Sequence, residues 1–337
     1  MPKNRKRGSP PSHVSITSTK PSPKPPKTKK KYRVSGHEGF ACRYAWLPKV
    51  VKALNTNSGL FANEENAMVV LGVGKNMVRS MRFWSQAFGI ADTAKGSSYS
   101  LTDFGRLVLG SEGLDPYLED PRTLWLLHWN LTANVNSPLL AWDYLFNRWQ
   151  EPELHPEKTT RALAREAELS GLEISTATLE QHFQAFIHTY VATRGSKADF
   201  QEESLDSPFV ELELILRAGQ REFSDGAEKR EPIYVFRRER KPEITPELFA
   251  YCLGDFWKSR HNSEQTLPLS EIANGHGSPG QIFKLPEEDI RERAGNLEAQ
   301  TDSFSYIDSS LLQQIKRRDF NLPRLLSRIY ATELVHA

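Results

Sequence analysis

Cysteine is nearly absent. Of 337 residues only Cys42 and Cys252 are cysteines, and they stand alone without CxxC spacing. That excludes a zinc ribbon, a cysteine-held iron–sulfur cluster and a disulfide framework. Long apolar runs are also missing. Segments such as 68–73 and 124–127 fall far short of the ~20 residues a bilayer-crossing helix needs, and no apolar stretch follows the basic N-terminus as in a secretory signal. The expectation is a soluble, cytoplasmic protein. A phosphate-binding loop is lacking too, because Gly72-Val-Gly-Lys75 has the wrong spacing and no Ser or Thr after the lysine, which argues against ATP binding.

Acidic residues are absent from one region. Residues 1–33 carry 11 Lys or Arg, seven prolines and no Asp or Glu, so the rest of the chain holds 33 basic against 42 acidic residues, a net of −9 beneath the overall +2. A leader of that composition has too little apolar surface to offset its ordering entropy and is predicted to be disordered. It reads either as a cationic arm that keeps the protein near DNA or as a solubilising extension. Because the body is acidic, nucleic-acid binding would have to come from local basic faces.

What is present is helical punctuation. Cys42, Trp46, Val50 and Ala53 recur near the helical period; Asn63 precedes a helical run ended by Gly72; Thr102, Asp120 and Thr245 stand ahead of further helices. The segment 75–88 is the most informative. Lys75, Arg79, Arg82 and Gln86 fall on one stripe, whereas Met77, Met81, Trp84 and Phe88 line nearly the opposite side. A turn-rich segment with Lys95 and Tyr99 follows as a small hairpin. Helix, glycine turn, basic helix and hairpin together predict a winged helix-turn-helix, with Lys49, Lys75, Asn76, Arg79, Arg82, Lys95 and Tyr99 as DNA-binding candidates. His128, set among tryptophans, reads as a core residue, and His182 and His188 lie six apart, facing opposite ways.

The predicted fold class is mainly α (α+β). The expected organisation is a leader at 1–33, a winged-helix-like domain at 34–117, a helical domain at 118–198 and a mixed α/β domain at 209–337 that resembles a second winged-helix-like unit. In the last, the segments 209–216, 233–238 and 281–285 are predicted strands and 287–297 and 311–319 predicted helices. Residues 151–173 read as a charged separator and 199–208 as an acidic linker. The turn Gly275-His-Gly-Ser-Pro-Gly280 is either a phosphate cradle of backbone amides or, the preferred reading, a plain tight turn.

Chemistry centres on Ser35-Gly-His-Glu-Gly-Phe-Ala-Cys-Arg-Tyr-Ala-Trp-Leu-Pro-Lys49. Glu38 is the best candidate to hold a metal or activate water, His37 to act as base or ligand, and Arg43 and Lys49 to neutralise phosphate. The pair is not a zinc-protease motif, which needs a second histidine four positions after the first. The structural alternative makes Glu38 and Arg43 an ion pair that fixes the loop on Trp46.

The same stretch, together with residues 73–84 and 278–283, resembles the family of DNA-nicking proteins of bacterial single-strand phosphorothioation systems, whose members open with Gly-His-Glu-x-Phe, Arg and Trp-Leu. The resemblance covers most of the chain from Val34 onward. It implies a DNA-binding nickase, assisted by a divalent cation (Mg or Mn), that works on duplex DNA with a cysteine desulfurase, an ATPase and a sulfur-transfer ATP pyrophosphatase in phage defence. Gly39 stands where relatives carry threonine, which leaves a hydroxyl role unfilled. Two further hypotheses are a non-catalytic winged-helix DNA-binding or regulatory protein and a protein-interaction scaffold.

Overall fold

Short polar residues placed just ahead of apolar-periodic runs set many of the helix starts. The computed structural model describes residues 32–94, 98–192, 207–222, 230–309 and 312–331. The first part contains α1 (Trp46–Thr56), a 3-10 turn at Leu60–Ala62, α2 (Glu64–Leu71), α3 (Lys75–Ala87), strands β1 (Ala91–Thr93) and β2 (Tyr99–Leu101), and α4 (Asp103–Leu109). Asn63 caps α2 by accepting from the Asn66 amide at 3.0 Å, and α2 ends where Gly72 turns left-handed with φ 67°. Thr102 likewise accepts from the Gly105 amide at 2.9 Å to start α4.

A helical middle follows: α5 (Pro121–Thr132), α6 (Leu140–Asn147), the two-residue strand β3 (Glu153–Leu154), α7 (Pro156–Leu169) and α8 (Thr176–Tyr190). After a 3-10 turn at Pro208–Leu212 come β4 (Ile215–Glu222) and β5 (Arg230–Phe236). These two strands are antiparallel, and β3 adds to the free edge of β5, giving the order β3-β5-β4. The remainder is α9 (Pro246–Arg260), β6 (Thr266–Pro268), α10 (Leu269–Asn274), α11 (Pro279–Ile282), α12 (Glu287–Gln300), β7 (Phe304–Asp308), β8 (Gln313–Arg317) and α13 (Leu322–Ala331). Its antiparallel sheet has the order β6-β8-β7. The fold is mainly α with small antiparallel sheets.

Aromatic side chains join the successive parts into one core. Trp84 of α3 stacks on Phe88 at 5.3 Å and meets Trp142 of α6 edge-on at 5.8 Å, and Phe88 stacks on Phe209 at 5.0 Å. His128 is fully buried, with Nδ1 2.8 Å from the Tyr190 hydroxyl and Nε2 3.1 Å from the Ile282 carbonyl, a satisfied core histidine as expected. Tyr32 is buried as well: its hydroxyl donates to Asp143 Oδ2 at 2.9 Å, and Arg33 forms a parallel bridge to Leu139.

Four local expectations are corrected. Residues 281–285 form no strand: Ser278 accepts from the Gln281 amide and Pro279 opens the short helix α11. Residues 311–319 contain strand β8, which is central in its sheet because Ile315 is buried there and both flanking strands pair with it. The supposed separator 151–173 contains α7, whose Leu163 and Ala167 face the core. In 209–216, the 3-10 turn occupies the first residues and strand begins only at Ile215. Residues 1–31 of the leader and 199–206 of the linker lie outside the described residues.

Candidate functional site

Residues Gly36 to Gly39 form a turn that ordinary side chains would resist. Gly36, Glu38 and Gly39 all have positive φ, 106°, 51° and 80°. A Cβ on Gly36 would lie 2.8 Å from the Phe83 ring, so that position needs glycine for space as well as for conformation; at Gly39 the nearest atom, Gln181 Nε2 at 2.7 Å, ends a flexible side chain, and it is the positive φ that favours glycine there. Threonine at position 39 would therefore be strained in this chain. Glu38 is the one non-glycine of the three, and a left-handed residue of its kind costs about 1–2 kcal/mol unless the surroundings hold it there.

Three side chains do the holding. Ser80 Oγ of α3 donates to the His37 carbonyl at 3.1 Å, and Trp84 Nε1 donates to the Phe40 carbonyl at 3.0 Å. His37 turns inward, 2% exposed, with Nε2 3.1 Å from His182 Nδ1 on α8 and its ring stacked on His182 at 5.3 Å. His182 Nε2 accepts from the Ala141 amide at 3.1 Å, so in its neutral form the His182 proton sits on Nδ1 and is directed at His37. The Gly39 amide donates to His37 Nδ1 at 3.1 Å, closing the turn on its own imidazole. Burial holds both rings neutral. It lowers the His37 pKa to about 4 and takes His182 well below the usual imidazole value.

Inward anchoring of His37 leaves Glu38, half-buried, on the outer side of the turn. After the hydrogen bond and charge of Glu64 on α2, the Glu38 charge adds a smaller stabilisation of the cationic form of Arg79 on α3. Arg79 is also held by Glu64 of α2, through Nε at 2.6 Å and Nη2 at 3.2 Å, while Lys75 reaches the same carboxylate at 3.1 Å. Hydrogen bonds from Arg79 first and Lys75 second hold the Glu64 carboxyl down at about 2. Part of the cationic stripe is thus compensated. Arg82, half-buried, has no ion pair among the described residues. Asn76 and Lys49 are exposed. Tyr99 packs edge-on against Phe61 at 5.2 Å, and its amide donates to the Ser58 carbonyl. Lys95 lies outside the described residues.

Arg43 does not pair with Glu38 among the described residues. Its guanidinium lies over the Phe40 and Trp46 rings, 5.8 and 5.5 Å from their centroids, a cation–π arrangement. The structure therefore brings together Glu38, Arg79 and, through the shared helix, Lys75, Asn76 and Arg82. Three residues of this arrangement were not singled out from the sequence for it: Ser80, Glu64 and His182. None carries a local signal, because each acts through a partner on another element.

Among the described residues no three His, Cys, Asp or Glu side chains converge as in a preformed metal cage. A magnesium-type ion needs less from the protein. It is commonly held by one or two carboxylates with water and substrate phosphate oxygens completing the shell. Glu38, a carboxylate on the outer side of a held turn beside a basic helix, fits that demand. The second glycine-rich segment does not offer free amides in the same way: the Gly275, Gly277 and Ser278 amides donate to Glu271 O, Asn147 Oδ1 and Gly275 O. It is a tight turn, the preferred reading of the sequence.

A mainly α chain with an acidic turn fastened to a basic helix is the class these features define, and its fold is that of SspB. The chain matches a magnesium-ion-bound SspB crystal structure with a TM-score of 0.77 and a second SspB crystal structure with 0.74, each at 24% identity and covering 90% of both chains. The profile of the family DUF4007, described as a protein of unknown function, matches residues 34–330. The chain belongs to that family. No curated protein matches it at a significant level.

Proposed function

We propose that this protein is a duplex-DNA-binding component of a single-strand phosphorothioation system, and that it nicks DNA at the Glu38 turn with the help of a divalent cation. The observation that carries the reading is the fastening of that turn to α3 by Ser80 and Trp84. The acidic motif is thereby tied to the helix that carries the basic stripe. The order of α1, α2, α3 and the β1–β2 hairpin matches a winged helix, in which the third helix enters the major groove. The order α9, β6, α10, α11, α12, β7, β8 with sheet β6-β8-β7 supports a related unit at the C-terminal end, enlarged by strand β6 and helix α11. SspB, whose fold the chain shares, supports the assignment to such a system, with the cysteine desulfurase, ATPase and ATP pyrophosphatase as proposed partners.

In this reading Arg82, Arg79, Lys75, Asn76, Lys49, Lys95 and Tyr99 position the duplex. Glu38 accepts a proton from the attacking water as the water oxygen bonds to phosphorus and the bridging P–O bond breaks; the leaving oxygen takes its proton from solvent. Magnesium or manganese, when bound, supplies positive charge at the phosphoryl oxygens, with Glu38 as its protein ligand. Arg43, over the Phe40 and Trp46 rings, adds positive charge to the motif. His37, buried and neutral, is a positioning residue that pins the turn on His182. The single carboxylate favours one alternative, a DNA-binding subunit in which the turn is structural. Supercoiled plasmid incubated with the purified protein and magnesium or manganese decides between them. Open-circle product is expected; intact plasmid with a mobility shift supports the alternative.

A further inference from the structure

The C-terminal unit also places helices ahead of an antiparallel strand pair, with strand β6 and short helix α11 added, and the helix before that pair, α12, carries the opposite charge to α3. On α12 the exposed positions include Glu287, Glu288, Glu292 and Glu298, of which Glu292 pairs with Arg240 and Glu298 with Arg318. A helix so faced is repelled by phosphate and is a poor reader of a major groove. The cations of this unit gather elsewhere. The end of α9, the end of β8 and the start of α13 enclose a groove of about 700 Å³ lined by Lys258, Asn262, Lys316, Arg317, Arg318 and Asp319.

Lys258 and Lys316 are exposed, and neither has an ion pair among the described residues. Arg317 spends one nitrogen on the Asn262 carbonyl at 2.9 Å and has no carboxylate in ion-pair range among the described residues. Among the lining residues these three cations face one carboxylate, Asp319, since Arg318 is already matched by Glu298; outside the lining, the half-buried Asp255 of α9 also feels the Lys258 charge. Asn321, which also lines the groove, accepts from the Arg324 amide at 3.0 Å and so turns the positive end of the ten-residue α13 toward it. The groove around Leu269, Ser270, Glu287 and Asp308 on the same unit carries no cation. Charge sign, donor content and width in the first groove suit a repeating phosphate chain rather than a single small ligand.

We infer that the groove formed by Lys258, Lys316 and Arg317 is a second contact for the phosphodiester backbone of the duplex bound by α3. The C-terminal unit thus holds DNA by its end and not by α12. This rests on the DNA-binding reading above.

The test compares full-length protein, a Lys258→Glu/Lys316→Glu variant and an Arg82→Glu variant by anisotropy of a fluorescein-labelled 30-base-pair duplex across a potassium chloride series. Two lost phosphate contacts should flatten the slope of log affinity against log salt by about 2 and weaken binding at least tenfold at low salt. The milder Lys258→Gln/Lys316→Gln pair keeps the test open should the charge reversals fail to fold. Parental slope and affinity in the folded groove variants, with Arg82→Glu weakened, would overturn the groove and leave the α3 reading intact. Failure of the parent to bind duplex at any salt would overturn both.

Discussion

Ser80 Oγ donates to the His37 carbonyl at 3.1 Å, so the turn that carries Glu38 is fastened to the helix that carries Arg79 and Arg82. The hydroxyl is fully buried and sits at a position where α3 would otherwise present an apolar group. Ser80→Ala removes one hydrogen bond from a carbonyl that keeps the Phe40 amide as its other donor, a cost of about 0.5–1.5 kcal/mol. Denaturant unfolding should show that loss, and duplex affinity should stay within twofold of the parent, because no cation on α3 is altered.

Glycine substitutions should divide by sign. Gly36→Ala puts a methyl group 2.8 Å from the Phe83 ring at φ 106°, and a loss of about 1–3 kcal/mol is expected. Gly295→Ala lies on the exposed face of α12 with nothing within 4 Å of the new Cβ, where alanine should add about 0.5–1 kcal/mol. Thermal melts of the two single variants check both signs.

Buried neutral histidines give the protein an acid limit. His37 is lowered to about 4, His128 to about 3, and His182 lies well below its ordinary value, all mainly by burial. Below about pH 6.5 the unfolded chain takes up protons on these rings that the folded chain refuses, so stability is present above that pH and falls as the pH drops toward 4. The melting temperature should be flat from pH 8 to 7 and decline between about 6.5 and 4. His182→Gln, with one such ring removed, should decline less steeply.

Removing a negative charge at Glu64 should strengthen DNA binding. Glu64 now engages both Lys75 and Arg79, and Glu64→Gln releases two cations on the face assigned to the duplex. Affinity at low salt should rise several-fold, and the salt dependence should steepen by about one to two units. Unchanged affinity in a salt titration would place that face away from DNA.

Legibility in the sequence followed the range of the interactions. Starts of α2, α4, α5 and α9 were readable because each depends on a cap within three residues of the helix it opens. The buried side of α3 was readable from spacing, although Val78, Phe83 and Ser80 are buried too and widen that side. Strand β8 read as helix because its identity comes from pairing with β6 and β7, which no local pattern records. In the site, the outward position of Glu38 depends on the contact of His37 with His182, 145 residues further on, and the compensation of Arg79 on Glu64, 15 residues back on another helix. The Glu38–Arg43 pairing looked reasonable at five residues' separation, but Arg43 settles over Phe40 and Trp46 instead.

Glu38→Gln tests the central claim most directly, because it keeps the shape of the turn and removes only the charge and proton affinity. Plasmid nicking, duplex affinity and melting should be measured on the same purified variant. The account predicts nicking reduced by at least a hundredfold, duplex affinity within a few-fold of the parent, and a melting temperature nearly unchanged, since Glu38 forms no ion pair with Arg43. A Glu38→Gln protein that nicks at the parental rate would contradict it.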